Sequence, residues 1–332
     1  LIVKQATFVA TTGSGVGVVE QKTSGEWTVE YSLEDRDVRC LSADPFDPNT
    51  VYVGTQGNGV WRSVDRGKSW QPAGLQGVVV KSLAVSPHDR GVILAGAKPA
   101  TVFRTEDGGR SWGELKGFKR IPFRWWWFTP AETPNQAYVQ AIAISPEDPD
   151  VVMAGIEFGA VVRSQDGGQT WSGHKAGSLR DCHQLLFHRS DGKWAYEAGG
   201  SGGGASFSHD GGRTWRKAGG GLEKHYGVAC AADPAEPDVW YIAVGPGPGK
   251  AYGEEAEAYL YRRDGKGWQA IGWENHPMRH MPLSLVTDPG EPGGLYAGVR
   301  RGDVWHSPDR GETWEKMPFR FRGIWRWMLL LE

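Results

Sequence analysis

An eight-residue pattern, Ser/Thr-x-Asp-x-Gly-x-Ser/Thr-Trp, occurs five times in this chain and constrains it more than any other feature. The copies lie at 63–70 (SVDRGKSW), 105–112 (TEDGGRSW), 164–171 (SQDGGQTW), 208–215 (SHDGGRTW) and 307–314 (SPDRGETW). Two worn copies end at Trp27 and Trp268. The seven tryptophans are spaced 43, 42, 59, 44, 53 and 46 residues apart. Each copy reads as a turn: the Asp side chain accepts from backbone N–H groups ahead of it, and the Gly permits positive φ. The Trp is a large apolar plug suited to a gap between packed layers.

Around each turn the same short strands recur. A strand such as Val60-Trp61-Arg62 precedes it, with VYVGT or VVMAG further upstream and an alternating segment ending near Pro (CLSADP, SLAVSP, AIAISP) before that. Four strands in a unit of about 40–45 residues is the pattern of a propeller blade. Innermost strands are expected near Val38, Val80, Val139, Cys182, Gly227 and Pro282, with a last one at 324–331. Nothing follows that last strand, whereas the N-terminus supplies three strands without an inner partner. The expectation is an all-β, seven-bladed propeller of four-stranded antiparallel blades over 1–332, its last blade closed by both chain ends, which removes a sheet edge.

The motifs resemble those of the Asp-box, or BNR-repeat, propellers, a family that includes sialidases, xyloglucan-active glycosidases, sortilin-type receptors and photosystem assembly factors. The resemblance covers nearly the whole sequence, implies the fold, and leaves activity open. It also implies that the boxes face away from the functional site, so Asp65, Asp107, Asp166, Asp210 and Asp309 are read as turn-formers.

Composition narrows the partners. A net charge of −2 disfavours a nucleic-acid binder with a general basic surface. Apolar runs are too short for a membrane span. Neither nucleic acid nor membrane is therefore expected as a partner; a small molecule or oligosaccharide is. Cys40, Cys182 and Cys230 form no CxxC pair and are expected as free, buried thiols. No leader is visible, but the sequence starts at Leu1, so cytoplasmic and secreted locations both stay open, as does oligomeric state.

Antiparallel strands put the loops between blades, and those joining second to third strands, on one face. That face carries the insertions at 118–137, 199–206 and 245–258, and variable loops on a rigid scaffold are where binding resides. Inner strands begin there with polar residues: Asp37, Arg39, Lys81, Tyr138, Gln140, Asp181, His183, His225, Tyr226, Arg279, His280, Arg322 and Arg326. Aligning the strands on their terminal Pro puts Arg39, Lys81, Gln140 and His183 at one position, held by Val228 and Leu283 in two later blades.

Three chemistries compete for this face. Arginines suit an anionic substrate, because the guanidinium fork matches a carboxylate. The resemblance to sialidases casts Tyr226 as nucleophile, Glu157 or Glu197 as its helper and Asp37 as acid. The seven-blade count and the position of Arg120-Ile121-Pro122, in an insertion, depart from that pattern. A broader glycan-active reading uses Trp125, Trp126, Trp127, Phe128, Trp273 and Tyr252 as stacking faces, with Asp37, Asp181 and Glu157 as carboxylates; for 125–128 a satellite core is the alternative. A divalent-metal reading takes His183, His225 and His280 from neighbouring blades. The leading expectation is a glycosidase-like hydrolase or lyase for a polar or anionic carbohydrate. The alternatives are a non-catalytic protein- or glycan-binding scaffold and a metal-dependent enzyme.

Overall fold

The computed structural model describes residues 6–331, and among these the strands form seven antiparallel sheets arranged as the repeat demands. Blades one to six begin with inner strands Val38–Asp44, Val79–Val85, Val139–Ile144, Cys182–Phe187, Tyr226–Ala232 and Pro282–Thr287. Blade seven combines Met328–Leu331 as its inner strand with Thr7–Thr11, Val16–Gln21 and Trp27–Ser32, so both chain ends close the ring. The closing strand is shorter than expected. Arg326 takes a left-handed φ of 72°, which breaks the ladder and leaves Trp325 and Arg326 in the channel mouth.

Blade three departs from the four-strand plan. After Trp171, Ser172 N–H donates to Arg163 and Lys175 N–H to Val161, three residues set against two, so no regular outer strand forms.

The apolar core is divided among the seven blade interfaces. Second strands are buried on both faces, which is why they read as unbroken apolar runs. In Trp240–Gly245, for example, Trp240, Ile242 and Val244 pack against blade four, while Tyr241 and Ala243 pack against blade six. Close approach between blades sets the small residues: a Cβ on Gly155 of blade three would collide with Cys182 Sγ of blade four. All three cysteines are free and buried, and burial lifts the Cys40 thiol to about 12.

The five clear boxes share one hydrogen-bond pattern. The leading Ser or Thr hydroxyl donates to Asp Oδ1 at 2.7–2.9 Å and accepts from the Gly N–H at 2.7–3.1 Å. Oδ1 also accepts from the second Ser/Thr N–H at 2.8–2.9 Å. In the box at 208–215, burial works against the Asp210 charge, but bonds from Thr214 and Ser208 outweigh it and hold the pKa below the usual range. Each box carboxylate is thus spent on its own turn.

Asp210→Ala is expected to cost about 1–3 kcal/mol through these lost bonds, and Trp171→Ala about 3–5 kcal/mol by emptying a blade interface. Chemical denaturation measures both, and ligand binding at the opposite face should be unchanged by Asp210→Ala.

Candidate functional site

Every inner strand of blades one to six carries a β-bulge at the same place, and the bulged residues are Arg39, Lys81, Gln140, His183, Val228 and Leu283. A bulge leaves one residue unpaired and re-aims its side chain. These are the positions that the strand alignment singled out. Residues two places earlier, Tyr138, Asp181 and Tyr226, line a cavity of about 830 Å³ at the channel mouth. Glu157, Tyr252 and Arg326 complete its polar wall.

At its base three groups converge. Glu157, Asp181 and His183 are each about 4% exposed or less, and one donor atom from each lies within 4.8 Å of the others. His183 Nδ1 is 2.6 Å from the Gly227 carbonyl. A carbonyl only accepts, so Nδ1 carries the hydrogen and Nε2 faces Asp181 Oδ2 at 3.4 Å. Glu157 Oε2 and Asp181 Oδ1 are buried without a hydrogen-bond partner. Burial first, and then the nearby Asp181 charge, push the Glu157 carboxyl up, against the pull of His183, Arg326 and the Tyr138 hydroxyl. The Gly-rich loop after blade four's second strand gives Asp181 its room: a Cβ on Gly200 would collide with Asp181 Oδ2.

Beneath this centre sits Glu197, fully buried on Ala195–Gly199. Its Oε2 accepts from the Leu179 N–H at 2.8 Å and the Ser206 hydroxyl at 2.6 Å, tying down the loop that carries Asp181. Burial lifts its carboxyl to about 7 despite these bonds.

The cationic wall is Arg326, whose guanidinium donates to the Tyr252 hydroxyl at 3.0 Å. Burial opposes its charge, but Tyr252 and Glu157 outweigh that and raise its pKa. Tyr226 packs edge-on to His183 at 4.8 Å. Burial, reinforced by Tyr252, raises its phenol pKa.

The insertion at 118–137 is pinned by a residue the sequence reading missed. Lys81 Nζ donates to both Glu132 oxygens at 2.6 and 2.8 Å, and Lys98 Nζ reaches the same carboxylate at 3.2 Å. A bulge-position lysine buried at 4% needs an acid partner, and that requirement was the available signal. The tryptophan run splits. Trp127 is half-buried against Phe118 at 5.8 Å, as in a satellite core, whereas Trp125 and Trp126 are 74% and 61% exposed with rings 4.8 Å apart.

Other candidates lie elsewhere. Asp37 and Arg39 pair with each other at 2.5 Å outside the cavity wall. Gln140 is buried and does not line the cavity. His225 lines the central cavity, but His280 and Arg322 line a separate hollow of about 250 Å³ with Arg300, Arg301 and Arg320, and exposed Arg279 faces Glu255 at 3.7 Å. The three-histidine constellation is therefore not assembled: the cluster around His183 contains neither His225 nor His280. Each of those two sits three residues ahead of its blade's bulge position, about 10 Å of extended chain. Among the described residues, no helix is long and apolar enough to cross a membrane.

No protein-family model matches the chain. A xyloglucanase from a Paenibacillus species is 38% identical over 97 residues, 27% of this chain and 9% of that protein. The chain therefore spans under a tenth of that relative's length. Among solved structures, a GH74 xyloglucanase from Xanthomonas campestris superposes with a TM-score of 0.62 at 20% identity, covering 84% of this chain and 45% of that one. The GH74 enzyme of Niastella koreensis gives 0.60 at 13%, covering 96% and 65%. A YCF48 protein bound to D1 peptide gives 0.58 at 15%, covering 84% and 80%. At these identities the likeness establishes the propeller fold.

The raised Glu197 carboxyl has a definite sign. The folded chain holds this proton more tightly than the unfolded chain, so the contribution is complete below about pH 4.5 and is lost as pH rises towards 7. The loss is about 3 kcal/mol. Thermal unfolding of Glu197→Gln against the native chain should show the variant gaining in relative stability between pH 4.5 and 8.

Proposed function

We propose that this distant member of the Asp-box (BNR-type) propellers binds a polar, acidic carbohydrate at its channel mouth and cleaves it as a glycosidase-like hydrolase or lyase. The observation that carries this reading is the cavity of about 830 Å³ in which Arg326 stands beside buried carboxylates and aromatic walls. That volume falls in the range of small-molecule sites, about 300–1,000 Å³. Arg326 offers a planar fork for a sugar carboxylate. Tyr226, Tyr252 and Trp325 offer faces for sugar C–H groups, and Glu157, Asp181 and His183 supply the charged chemistry at the bond that breaks. The xyloglucanases among its structural relatives support a carbohydrate ligand.

A second reading, a non-catalytic protein- or glycan-binding scaffold, draws on the exposed strip of Phe123, Trp125, Trp126 and Phe128, each at least 54% exposed. The YCF48 structure bound to D1 peptide supports peptide binding by such a propeller.

Calorimetry with acidic and neutral oligosaccharides, joined to mass analysis of products, separates the two. Acidic sugars should bind and be cleaved. Arg326→Ala should weaken binding about 10- to 100-fold, the value of a charge-assisted contact. Asp181→Asn should abolish cleavage while binding changes by only a few-fold. Binding without products would favour the scaffold, and no sugar binding would overturn the proposal.

A further inference from the structure

We propose that Glu157, Asp181 and His183 hold a divalent metal ion at the base of the mouth, with its remaining coordination positions open to the cavity. The inference deepens the functional reading and rests on the mouth being where the ligand sits.

Four observations carry it. The donor atoms of all three side chains converge, within 4.8 Å of one another. Asp181 Oδ2 and His183 Nε2, 3.4 Å apart, already approach the roughly 3 Å spacing of adjacent ligands on an ion with bonds near 2.1 Å. The Gly227 carbonyl accepts the hydrogen bond from Nδ1 of His183, so Nε2 is the ring nitrogen turned to the carboxylates. A carbonyl behind the ring is how metal-ligating histidines are oriented. Finally, Glu157 Oε2 and Asp181 Oδ1 are buried with no partner, leaving each carboxylate with unused acceptor capacity.

Glu157 and Asp181 line the cavity, so the ion would face it with three protein ligands and open positions, the pattern of a reactive rather than a structural site. One imidazole with two carboxylates selects a borderline ion of the Mn2+ or Zn2+ type over an all-oxygen Ca2+ site. Bound there, the ion would neutralise the carboxylate pair and, with Arg326, offer a second anchor for an acidic ligand.

The test is metal binding by the full chain, independent of any sugar. Chelator-stripped protein titrated with Mn2+ or Zn2+ should take up one ion per chain. Glu157→Gln and His183→Ala should each weaken it by roughly two orders of magnitude, with circular dichroism confirming folding, and Arg326→Ala should retain the ion. Pulsed electron paramagnetic resonance of the Mn2+ form of the unaltered chain should show nitrogen coupling from one imidazole, which needs no variant to fold. Absence of stoichiometric uptake, or uptake indifferent to Glu157→Gln with no nitrogen coupling, overturns the proposal. Metal bound without sugar binding would overturn the carbohydrate reading alone. Sugar bound and cleaved by protein that takes up no stoichiometric metal would overturn the metal centre alone.

Discussion

The packing of one blade against the next is the constraint on which the rest of this structure depends. Each apolar cluster is shared by two adjacent blades, and each repeat tryptophan plugs the interface with the preceding blade. Trp70 packs with the cluster between blades seven and one, Trp171 between two and three, Trp215 between three and four, and Trp314 between five and six. Some indole N–H groups reach across: Trp112 donates to Ala73 at 2.8 Å and Trp268 to Ala218 at 2.6 Å. A blade alone would leave both faces of its second strand in water, so stability is a property of the ring. Pairing of Met328–Leu331 with Thr7–Thr11 completes it.

That packing sets the chemistry of the mouth. Inner strands can crowd together only where small residues admit them, and the repeated bulge beside those residues takes one side chain out of the ladder in six blades. What the bulge presents differs by blade. Lys81 and His183 bring an ammonium and an imidazole into the ring, whereas Val228 and Leu283 join the apolar cluster between blades five and six. The polar cluster at the mouth is thus a local difference written on a regular scaffold. The cavity opens over blades three to five because their loops are enlarged and because Glu132, held by Lys81 and Lys98, keeps the long insertion against the rim.

The centre also shows how far burial governs this chain's ionisable groups. Glu157 and Glu197 are both raised chiefly by desolvation, yet their settings differ. Each keeps one buried oxygen without a partner, but Glu197 uses its other oxygen to order a loop, while Glu157 lies in the cavity wall beside a second carboxylate. The first arrangement is that of a positioning group. The second sets a carboxylate beside another at a surface the cavity reaches.

The sequence by itself determined the fold, because the box, the strand alternation and the unpaired terminal strands are all local or countable signals. It also placed Tyr138, Glu157, Asp181, Tyr226 and Arg326 at one mouth of the channel, where they line the cavity, since strand alignment and loop topology place residues by height along the channel. Tertiary structure alone decided which of the polar residues meet. His183 joins Glu157 and Asp181 rather than His225 and His280, because a bulge and three residues of extended chain separate positions that look adjacent in an alignment. It likewise decided that Glu132 partners Lys81 and that Asp37 turns to Arg39 instead of the cavity. Distances between side chains on different blades depend on loop paths and packing, and no periodicity in one chain encodes them.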